Sequence, residues 1–315
     1  MARETNDNIM QIYRIAKYYY LDNLSQNEIS KIEQISRPQV SRYLKRAREL
    51  GCVHIDITFP KVINEDYLVQ NLKDKYHVEH AVIAPSQQQD DLDTIYWSVT
   101  TTAAHFLQEL LPQYHTIGLG WGETMFQTAM QLTYLDHCSS MSFVPLVGNT
   151  SFSNRTLQTN NIVDRFAEKF IGSKSYYMNS PLYVPEKDFN NWMSDLNPLW
   201  DKLDIAVLGL GGPTFYSKML YIDELGRQKH IDINFLMQST FGDILGNFFL
   251  KDDTIFSAPE EYRLAGIPIE KLKQVEHVIC LAFGSQKVLC LKYALENGYI
   301  NSLITDYMTA QELLK

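Results

Sequence analysis

The residue types between positions 36 and 42 are those that hydrogen-bond the edges of DNA bases. Arginine can donate two parallel bonds to guanine O6 and N7, and glutamine can pair with adenine N6 and N7. The candidates are Ser36, Arg37, Gln39, Ser41 and Arg42. On a helix they would occupy the outer face of its N-terminal half, where a recognition helix meets the major groove.

Positive charge is concentrated on the same predicted helix. Lys45 and Arg46 lie further along it and are placed for phosphates, which set register rather than sequence. Residues 1–60 hold nine basic and seven acidic residues, whereas the rest holds 19 and 30, and the whole chain carries a net charge of -9. A local basic face on an acidic chain is typical of a nucleic-acid-binding element and argues against general nucleic-acid or membrane coating.

Three glycine-rich loops follow separate strand-like runs, at Gly118–Thr124, Val147–Ser151 and Leu208–Pro213. Glycines let backbone N–H groups approach an anion, although most such loops merely turn the chain. The spacing is not G-x-G-x-x-G, so no dinucleotide cofactor is predicted. Together the loops predict a site for a small anionic ligand such as a sugar phosphate. The candidates are Gly120, Gly122, Glu123, Thr124, Gly148, Asn149, Thr150, Gly211 and Gly212.

Two charged residues could complete this site. Asp243 could accept hydrogen bonds from sugar hydroxyls, and Lys287 could meet a phosphate as a point charge. From spacing alone, Asp243 could equally cap a helix, and Lys287 could equally be solvated.

No metal, cofactor or membrane partner is predicted. His77 and His80 are three residues apart, but a strand begins at His80 and no third ligand is near in the sequence. No apolar run approaches a membrane span, and residues 1–10 show no secretory signal. The four cysteines form no C-x-x-C pair, which favours buried thiols in a reducing cytoplasm and a cytoplasmic protein.

The chain length suits two domains. Ile9 to Tyr20 repeats apolar residues at helical spacing, and the chain breaks at Leu21–Asn23. Ser25 with Glu28 predicts a capping box for a second helix, whose inward face is Ile29, Ile32 and Ile35. Ser36 and Pro38 begin the third helix, buried through Val40, Tyr43, Leu44 and Ala47, and Gly51 ends it before a strand at Cys52–Ile57. The pattern predicts a winged-helix-like helix-turn-helix domain over 1–58, although a basic helix in an ordinary bundle remains open.

Residues 59–315 are predicted to form the second domain, with a connector over 59–90 that contains a helix around Leu68–Tyr76 and a strand at His80–Ala84. Strand-like runs alternate with helical patterns, which predicts an α/β fold with a mainly parallel sheet. The strand candidates are Thr116–Leu119, Met141–Val147, Asp204–Leu208, His277–Ala282 and Ser302–Thr305. The helix candidates are Asn161–Phe170, Phe241–Leu250 and Gln286–Asn297.

These segments resemble the SorC family of bacterial sugar-sensing transcriptional regulators. The resemblance is carried by ISRPQVSRYLKRARELGCVHIDI, IGLGWGETM, FGDILGNFF, AFGSQK and ALENGYINSLITDYMTAQELL, and it spans essentially the whole chain in order. It implies a helix-turn-helix joined to a Rossmann-like effector domain similar to sugar-phosphate isomerases and deaminases. It also implies a phosphorylated sugar or polyol as effector and assembly as a dimer or as a homotetramer.

The resemblance points to Gly122, Glu123 and Thr124 in the first loop and to Gly148 and Asn149 in the second. It also matches Asp243 and Lys287 to effector positions of the family. Two departures stand out. Phe283 replaces a usual glycine, which would narrow the pocket. Val147 stands where one branch has a Schiff-base lysine, which disfavours covalent capture of the effector.

The leading hypothesis is therefore a regulator that binds double-stranded operator DNA under control of a sugar phosphate. The alternative is a sugar-phosphate isomerase or deaminase with Glu123 or Asp243 as general base, but no histidine falls in the three loops. A third hypothesis, an architectural DNA binder without an effector, leaves those loops without a purpose.

Overall fold

The computed structural model describes residues 6–53, 65–149, 158–212, 238–256 and 260–315. The chain divides into two compact units, Met1–Pro60 and Lys61–Lys315. Within the described residues, no helix is both long enough and apolar enough to cross a membrane.

The N-terminal unit contains three described helices, α1 (Asn6–Tyr20), α2 (Gln26–Ile32) and α3 (Arg37–Glu49). The capping box is confirmed, because the Glu28 N–H donates to Ser25 Oγ at 3.3 Å and the Ser25 N–H donates to the Glu28 carboxylate at 2.8 Å. Helix α3 ends as predicted at Gly51, which has a φ of +71°. Such a backbone suits glycine, which has no side chain to clash there.

A small core holds these helices together through Ile15, Ile29, Val40 and Leu44. Two local predictions were wrong. Ile32 is 51% exposed rather than inward, and Cys52 is exposed rather than buried. Ser36 occupies the N-cap position of α3 as predicted, although its side chain makes no capping hydrogen bond. From His54 onward, the predicted wing strand lies outside the described residues.

The second unit is built on strands that match most of the predicted runs to within two residues at each end. In chain order the described strands are β1 (His80–Ala84), β2 (Thr116–Leu119), β3 (Ser142–Pro145), β4 (Lys174–Ser175), β5 (Tyr183–Pro185), β6 (Ile205–Gly209), β7 (Thr240–Ile244), β8 (Asn247–Leu250), β9 (Tyr262–Leu264), β10 (His277–Leu281) and β11 (Ser302–Asp306). Seven of them form one sheet in the order β1-β11-β10-β6-β2-β3-β4. Every neighbouring pair in this sheet is parallel, which confirms the predicted α/β class.

Helices cover both faces of the sheet, as a parallel sheet requires. Those described are α4 (Glu65–Tyr76), α5 (Leu92–Leu110), α6 (Glu123–Gln131), α7 (Thr159–Lys169), α8 (Phe189–Met193), α9 (Asn197–Trp200), α10 (Ile269–Leu272), α11 (Val288–Glu296) and α12 (Tyr307–Leu314). Alternate residues of the strands feed two separate cores. Ile205 and Val207 pack with Leu107 and Phe166 on one face, whereas Ala206 and Leu208 belong to the core on the other.

The strand order reverses between β2 and β6. From β2 the chain proceeds outward to β3 and β4, and then returns to the other side of β2 for β6, β10 and β11. A crevice opens at such a reversal point, beyond the carboxyl ends of the strands, and it is the usual ligand site of open α/β sheets.

The segment Phe241–Leu250 forms a β-hairpin, not the predicted helix. Strands β7 and β8 join through Leu245 and Gly246, whose φ angles of +50° and +85° suit a tight two-residue hairpin turn. Gly242 and Gly246 weaken a helix interior, and phenylalanines favour a pleated surface. The idea that Asp243 caps a helix is therefore wrong, since Asp243 lies within β7.

Candidate functional site

The outer face of α3 carries most of the predicted DNA-binding residues. Ser36, Arg37, Ser41, Arg42 and Lys45 are exposed, because Val40, Leu44 and Ala47 turn the opposite side of the helix into the core. Arg37 and Arg42 form no ion pair within the described residues. Both guanidinium groups can therefore bond an external acceptor without breaking an internal one. We call these five residues the basic helix face.

Gln39 and Arg46 are less accessible than the sequence suggests. The Gln39 amide donates to the Tyr43 hydroxyl at 3.2 Å, and both residues are half-buried. Arg46 pairs with the Glu49 carboxylate at 3.0 Å. Each side chain must exchange a partner before it can bond DNA, which lowers its expected contribution relative to Arg37 and Arg42.

A bidentate ion pair fixes α1 against the end of α2. Arg14 donates through Nε and one terminal nitrogen to the Glu33 carboxylate, at 3.1 Å each, and the Gln11 amide adds a third bond at 3.1 Å. These hydrogen bonds, led by the one from Arg14, lower the pKa of Glu33 below its ordinary value. Sequence patterns missed this pair because its members are 19 residues apart.

Five predicted effector residues meet at the crevice between β2 and β6, and we call them the strand-edge site: Gly120, Gly211, Gly212, Asp243 and Lys287. Gly120 follows β2 and donates its N–H to the Val207 carbonyl at 2.8 Å. A Cβ on Gly120 would lie 2.9 Å from Leu208 and from Leu245, so only glycine fits there.

Gly211 and Asp243 are paired through their backbones. The Gly211 N–H donates to the Asp243 carbonyl at 2.9 Å, and the Asp243 N–H returns a bond at 3.1 Å. Asp243 is 4% exposed, and its carboxylate accepts the Gly246 N–H at 3.1 Å. A Cβ on Gly211 would lie 1.8 Å from Asp243 Oδ1, so the missing side chain makes room for the carboxylate.

Lys287 reaches the same place from the far side of β6. Its Cγ would lie 3.3 Å from a Cβ on Gly212. Burial of the ammonium group lowers the pKa of Lys287, and the Cys280, Cys290 and Asp243 groups act in the opposite direction. A half-buried lysine beside a buried carboxylate differs from the fully solvated lysine that the sequence left open.

Two aromatic residues connect this cluster to the start of α6. The Lys287 ammonium lies 5.9 Å from the centre of the Phe283 ring, and that ring lies 5.6 Å from the ring of Tyr96 on α5. Burial, reinforced by the charge of Glu123, raises the pKa of Tyr96. The Tyr96 hydroxyl is buried, and the Thr124 side chain at the start of α6 acts in the opposite direction on its pKa. Tyr96 was missed in the sequence, where it reads as an ordinary helix residue.

The first loop presents a helix end to this region. Gly122, with a φ of +115°, occupies the N-cap position of α6, and Glu123 and Thr124 form the first turn. The first N–H groups of a helix lack partners within that helix and attract anions. Gln127 donates to the Glu123 carboxylate at 2.9 Å, which holds that side chain along the helix.

The second loop lies beyond β3, on the neighbouring strand end, and its contacts differ. Gly148 donates to the Ala265 carbonyl at 2.7 Å, and the Asn149 amide donates to the Met178 carbonyl. Asn149 Oδ1 is buried without a hydrogen-bond partner among the described residues. The described contacts therefore place Gly148 and Asn149 against neighbours other than Asp243 and Lys287. Thr150 lies outside the described residues.

A buried carboxylate organises the loop that carries Lys287, and sequence reasoning missed it. Asp306, 2% exposed, accepts hydrogen bonds from the Ser86 hydroxyl at 3.0 Å and from the Thr309 hydroxyl. Thr309 in turn accepts the Gly284 N–H at 2.8 Å. Asp306 thus ties the ends of β1, β10 and β11 together. The only sequence signal was its position at the N-terminus of the last helix.

Comparison with known proteins identifies the family. The family described as "Putative sugar-binding domain" (Sugar-bind) matches residues 61–315. The chain belongs to this family. It is 27% identical to the sorbitol operon regulator of Klebsiella pneumoniae over 99% of this chain and 100% of that protein, and 28% identical to the deoxyribonucleoside regulator of Bacillus subtilis over 95% of each. The crystal structure of the full-length sorbitol operon regulator SorC from Klebsiella pneumoniae matches with a TM-score of 0.68 and 26% identity, over 98% of this chain and 100% of that one.

These matches confirm the resemblance to SorC-type regulators and the Rossmann-like class of the second unit. The relatives are transcriptional regulators and not enzymes. The prediction that this Sugar-bind protein is not an enzyme is thereby confirmed, and the isomerase or deaminase alternative is set aside.

Proposed function

We propose that the protein is a DNA-binding transcriptional regulator whose hold on its operator is controlled by a phosphorylated sugar or polyol. One observation carries the proposal. The same chain has an exposed basic helix face and, in a separate unit, a buried Asp243 and a half-buried Lys287 beside glycines that leave them room. The relatives named for a sorbitol operon and for deoxyribonucleosides support small polyols and sugars as the ligand class.

In the proposed complex, two kinds of group in the strand-edge site bind two different parts of the ligand. Asp243 accepts hydrogen bonds from sugar hydroxyls, and the Lys287 ammonium together with the α6 N-terminus attracts a phosphate. A phosphate would give the Lys287 ammonium a charge-assisted hydrogen bond that a neutral sugar cannot supply. A phosphorylated ligand therefore fits the site better than its parent sugar.

In the proposed DNA complex, Arg37 and Arg42 bond base edges, while Lys45 and Arg46 bond phosphates. Such a protein acts as a homo-oligomer, a dimer or a dimer of dimers, that reads half-sites separated by roughly 34–36 Å. The effector would control binding by its different affinity for two quaternary arrangements, because a ligand with equal affinity for both shifts nothing.

The test of DNA binding is a gel-shift titration with the promoter DNA next to the gene. We expect a sequence-specific complex whose affinity falls at least about fivefold in Arg42→Ala, since a good arginine–guanine pair is worth about 1–3 kcal/mol. Lys202→Ala removes one exposed positive charge from the second unit and is the matched control, expected to bind like the wild type. No retardation of the DNA at modest salt, or an equal loss of DNA affinity in the two variants, would refute the proposed role of the basic helix face.

The test of the effector is a thermal-shift screen against sugar phosphates, their unphosphorylated parents and inorganic phosphate. A ligand at 100 times its Kd stabilises the folded state by about 2.7 kcal/mol, which shifts the melting temperature measurably. We expect stabilisation by one class of sugar phosphate, weaker stabilisation by its parent, and loss of the effect in Lys287→Met. Stabilisation by the parent sugar alone would contradict a phosphate-binding Lys287.

A further inference from the structure

A cluster of three potential metal ligands lies at the amino ends of the strands, the edge opposite the strand-edge site. Glu79 immediately precedes β1, His80 is the first residue of β1, and His277 is the first residue of β10. One ligand atom from each side chain lies within 4.8 Å of the other two. Parallel strands begin at the same edge, so the sheet itself brings these residues together.

The distances within the cluster suit a small cation after minor adjustment. Glu79 Oε2 lies 2.6 Å from His277 Nδ1, and Glu79 Oε1 lies 4.0 Å from His80 Nε2. Tetrahedral zinc with bonds near 2.0–2.1 Å separates its ligand atoms by roughly 3.3 Å. The carboxylate must therefore retreat slightly from one imidazole and the other imidazole must approach. The Glu79 side chain is 46% exposed, which leaves it room to rotate.

We propose that Glu79, His80 and His277 bind a zinc ion, with water as the fourth ligand. Two imidazole nitrogens favour zinc over calcium or magnesium, which prefer oxygen ligands. Neutral imidazole is the form that binds metal.

The surroundings supply the support that metal-binding histidines need. If His277 binds through Nδ1, its other nitrogen faces the Glu276 carboxylate at 3.8 Å, and Glu276 is exposed enough to close that gap. A carboxylate behind a ligating histidine fixes the ring and raises its basicity. Aromatic rings also pack against both imidazoles. The ring centre of Phe106 lies 5.4 Å from that of His80, and the ring centre of Tyr114 lies 5.1 Å from that of His277.

The strand between the two histidines adds an unpaired polar group. Ser302 of β11 pairs in register with His80 on one side and with Ile279 on the other. Ser302 and His277 therefore share one face of the sheet, since Ile279 is two residues beyond His277. The Ser302 hydroxyl is buried and has no hydrogen-bond partner among the described residues. A metal-bound water would offer it one.

Bound zinc would brace the sheet edge across β11, joining the first residue of β1 to the first residue of β10. It lies at the opposite ends of the strands from the strand-edge site, so it is separate from the proposed effector site. Because zinc would bind only the folded chain, it should raise the melting temperature of the protein without any sugar phosphate present.

The experiment is a zinc titration of the full chain, stripped with a chelator and freed of any histidine tag, in competition with a chromogenic zinc indicator. We expect one equivalent of tight binding that excess magnesium does not displace, and a visible absorption band typical of four-coordinate cobalt when Co²⁺ replaces zinc. His80→Ala and His277→Gln should each weaken binding more than about 100-fold, beyond the usual cost of losing a supporting residue.

His115→Ala is the matched control, because His115 is an exposed histidine at the same sheet edge, directly before β2. It should bind zinc like the wild type. His277 is largely buried and its variant can misfold, so circular dichroism checks the fold of each variant. The decisive variant is His80→Ala, because the His80 side chain is one-third exposed. No stoichiometric zinc binding, or wild-type affinity in folded His80→Ala, would overturn the proposal and leave the cluster as a Glu79–His277 ion pair.

Discussion

Replacement of Gly211 by alanine tests whether the strand-edge site is built around Asp243. The added Cβ would lie 1.8 Å from Asp243 Oδ1 and 2.9 Å from its Cγ. Real Cβ contacts are essentially never closer than 3.0 Å. The carboxylate oxygen at 1.8 Å must therefore move by at least 1.2 Å, the difference between 3.0 Å and 1.8 Å. The backbone bonds between Gly211 and Asp243 hold both main chains, which leaves rotation of the carboxylate as the main escape.

This rotation has a cost that can be bounded. Moving the carboxylate strains or breaks its hydrogen bond from the Gly246 N–H, and a hydrogen bond to a charged group contributes about 1.5–3 kcal/mol. The ligand hydroxyl that Asp243 would accept loses a bond of similar size. We therefore expect effector affinity to fall by at least about tenfold, equivalent to about 1.4 kcal/mol. Operator binding without effector should persist, because the basic helix face belongs to the other unit.

The assay is calorimetric titration of the effector found by the thermal-shift screen, with gel shift as the second readout. Gly209→Ala is the matched control, because Gly209 is the last residue of β6, two residues before Gly211, and its added Cβ would meet only ordinary contacts at 3.5 and 3.9 Å. If Gly211→Ala is folded and binds effector like Gly209→Ala, Asp243 does not contact the ligand, and the proposed site is wrong.

Three further predictions follow from the charged groups. Lys45→Ala, at an exposed phosphate-binding position, should weaken operator binding similarly for all sequences and reduce the slope of log K against log salt by about one, measured by gel shift over a salt series. The pKa of Glu33 is lowered, so its pair with Arg14 stabilises the fold above the ordinary carboxyl pKa of about 4.3, and acid removes that stabilisation. In Glu33→Gln the free energy of unfolding should therefore depend less steeply on pH below that value. Lys287 has a lowered pKa, so phosphate binding should take up protons at alkaline pH and weaken as pH rises, which calorimetry in buffers of different ionisation enthalpy detects.

Local signals predicted the local structure well. The Ser25–Glu28 box, the end of α3 at Gly51 and the strand at His80–Ala84 each depend on neighbours within a few residues, and all three are confirmed. The helix predicted at Phe241–Leu250 was wrong although the pairing of β7 with β8 is itself local, and only the bridge from Gly211 to Asp243 spans about thirty residues. Gly242 and Gly246 were signals against a helix within that segment.

The candidate site shows the same division. Its glycines and Asp243 were visible as residue types, and the resemblance to a family singled out Asp243 and Lys287. Tyr96 and Asp306 were not visible, because α5 and the end of β11 meet the Lys287 loop only after the sheet forms. The sequence pair His77 and His80 was set aside as a metal site; in the fold His80 lies instead with Glu79 and His277, and His277 comes from the distant strand β10.

The error at β7 changes how the proposed sensor would work. On a helix, Asp243 would be attached only to its own segment. In the hairpin it is bonded through its backbone to the loop after β6, and that loop touches Lys287 from the segment after β10. A ligand that bonds both charged groups therefore joins two segments that are distant in the chain, with the loop after β6 between them. Differential affinity for two arrangements requires such a place, because contacts within one rigid element are the same in every arrangement.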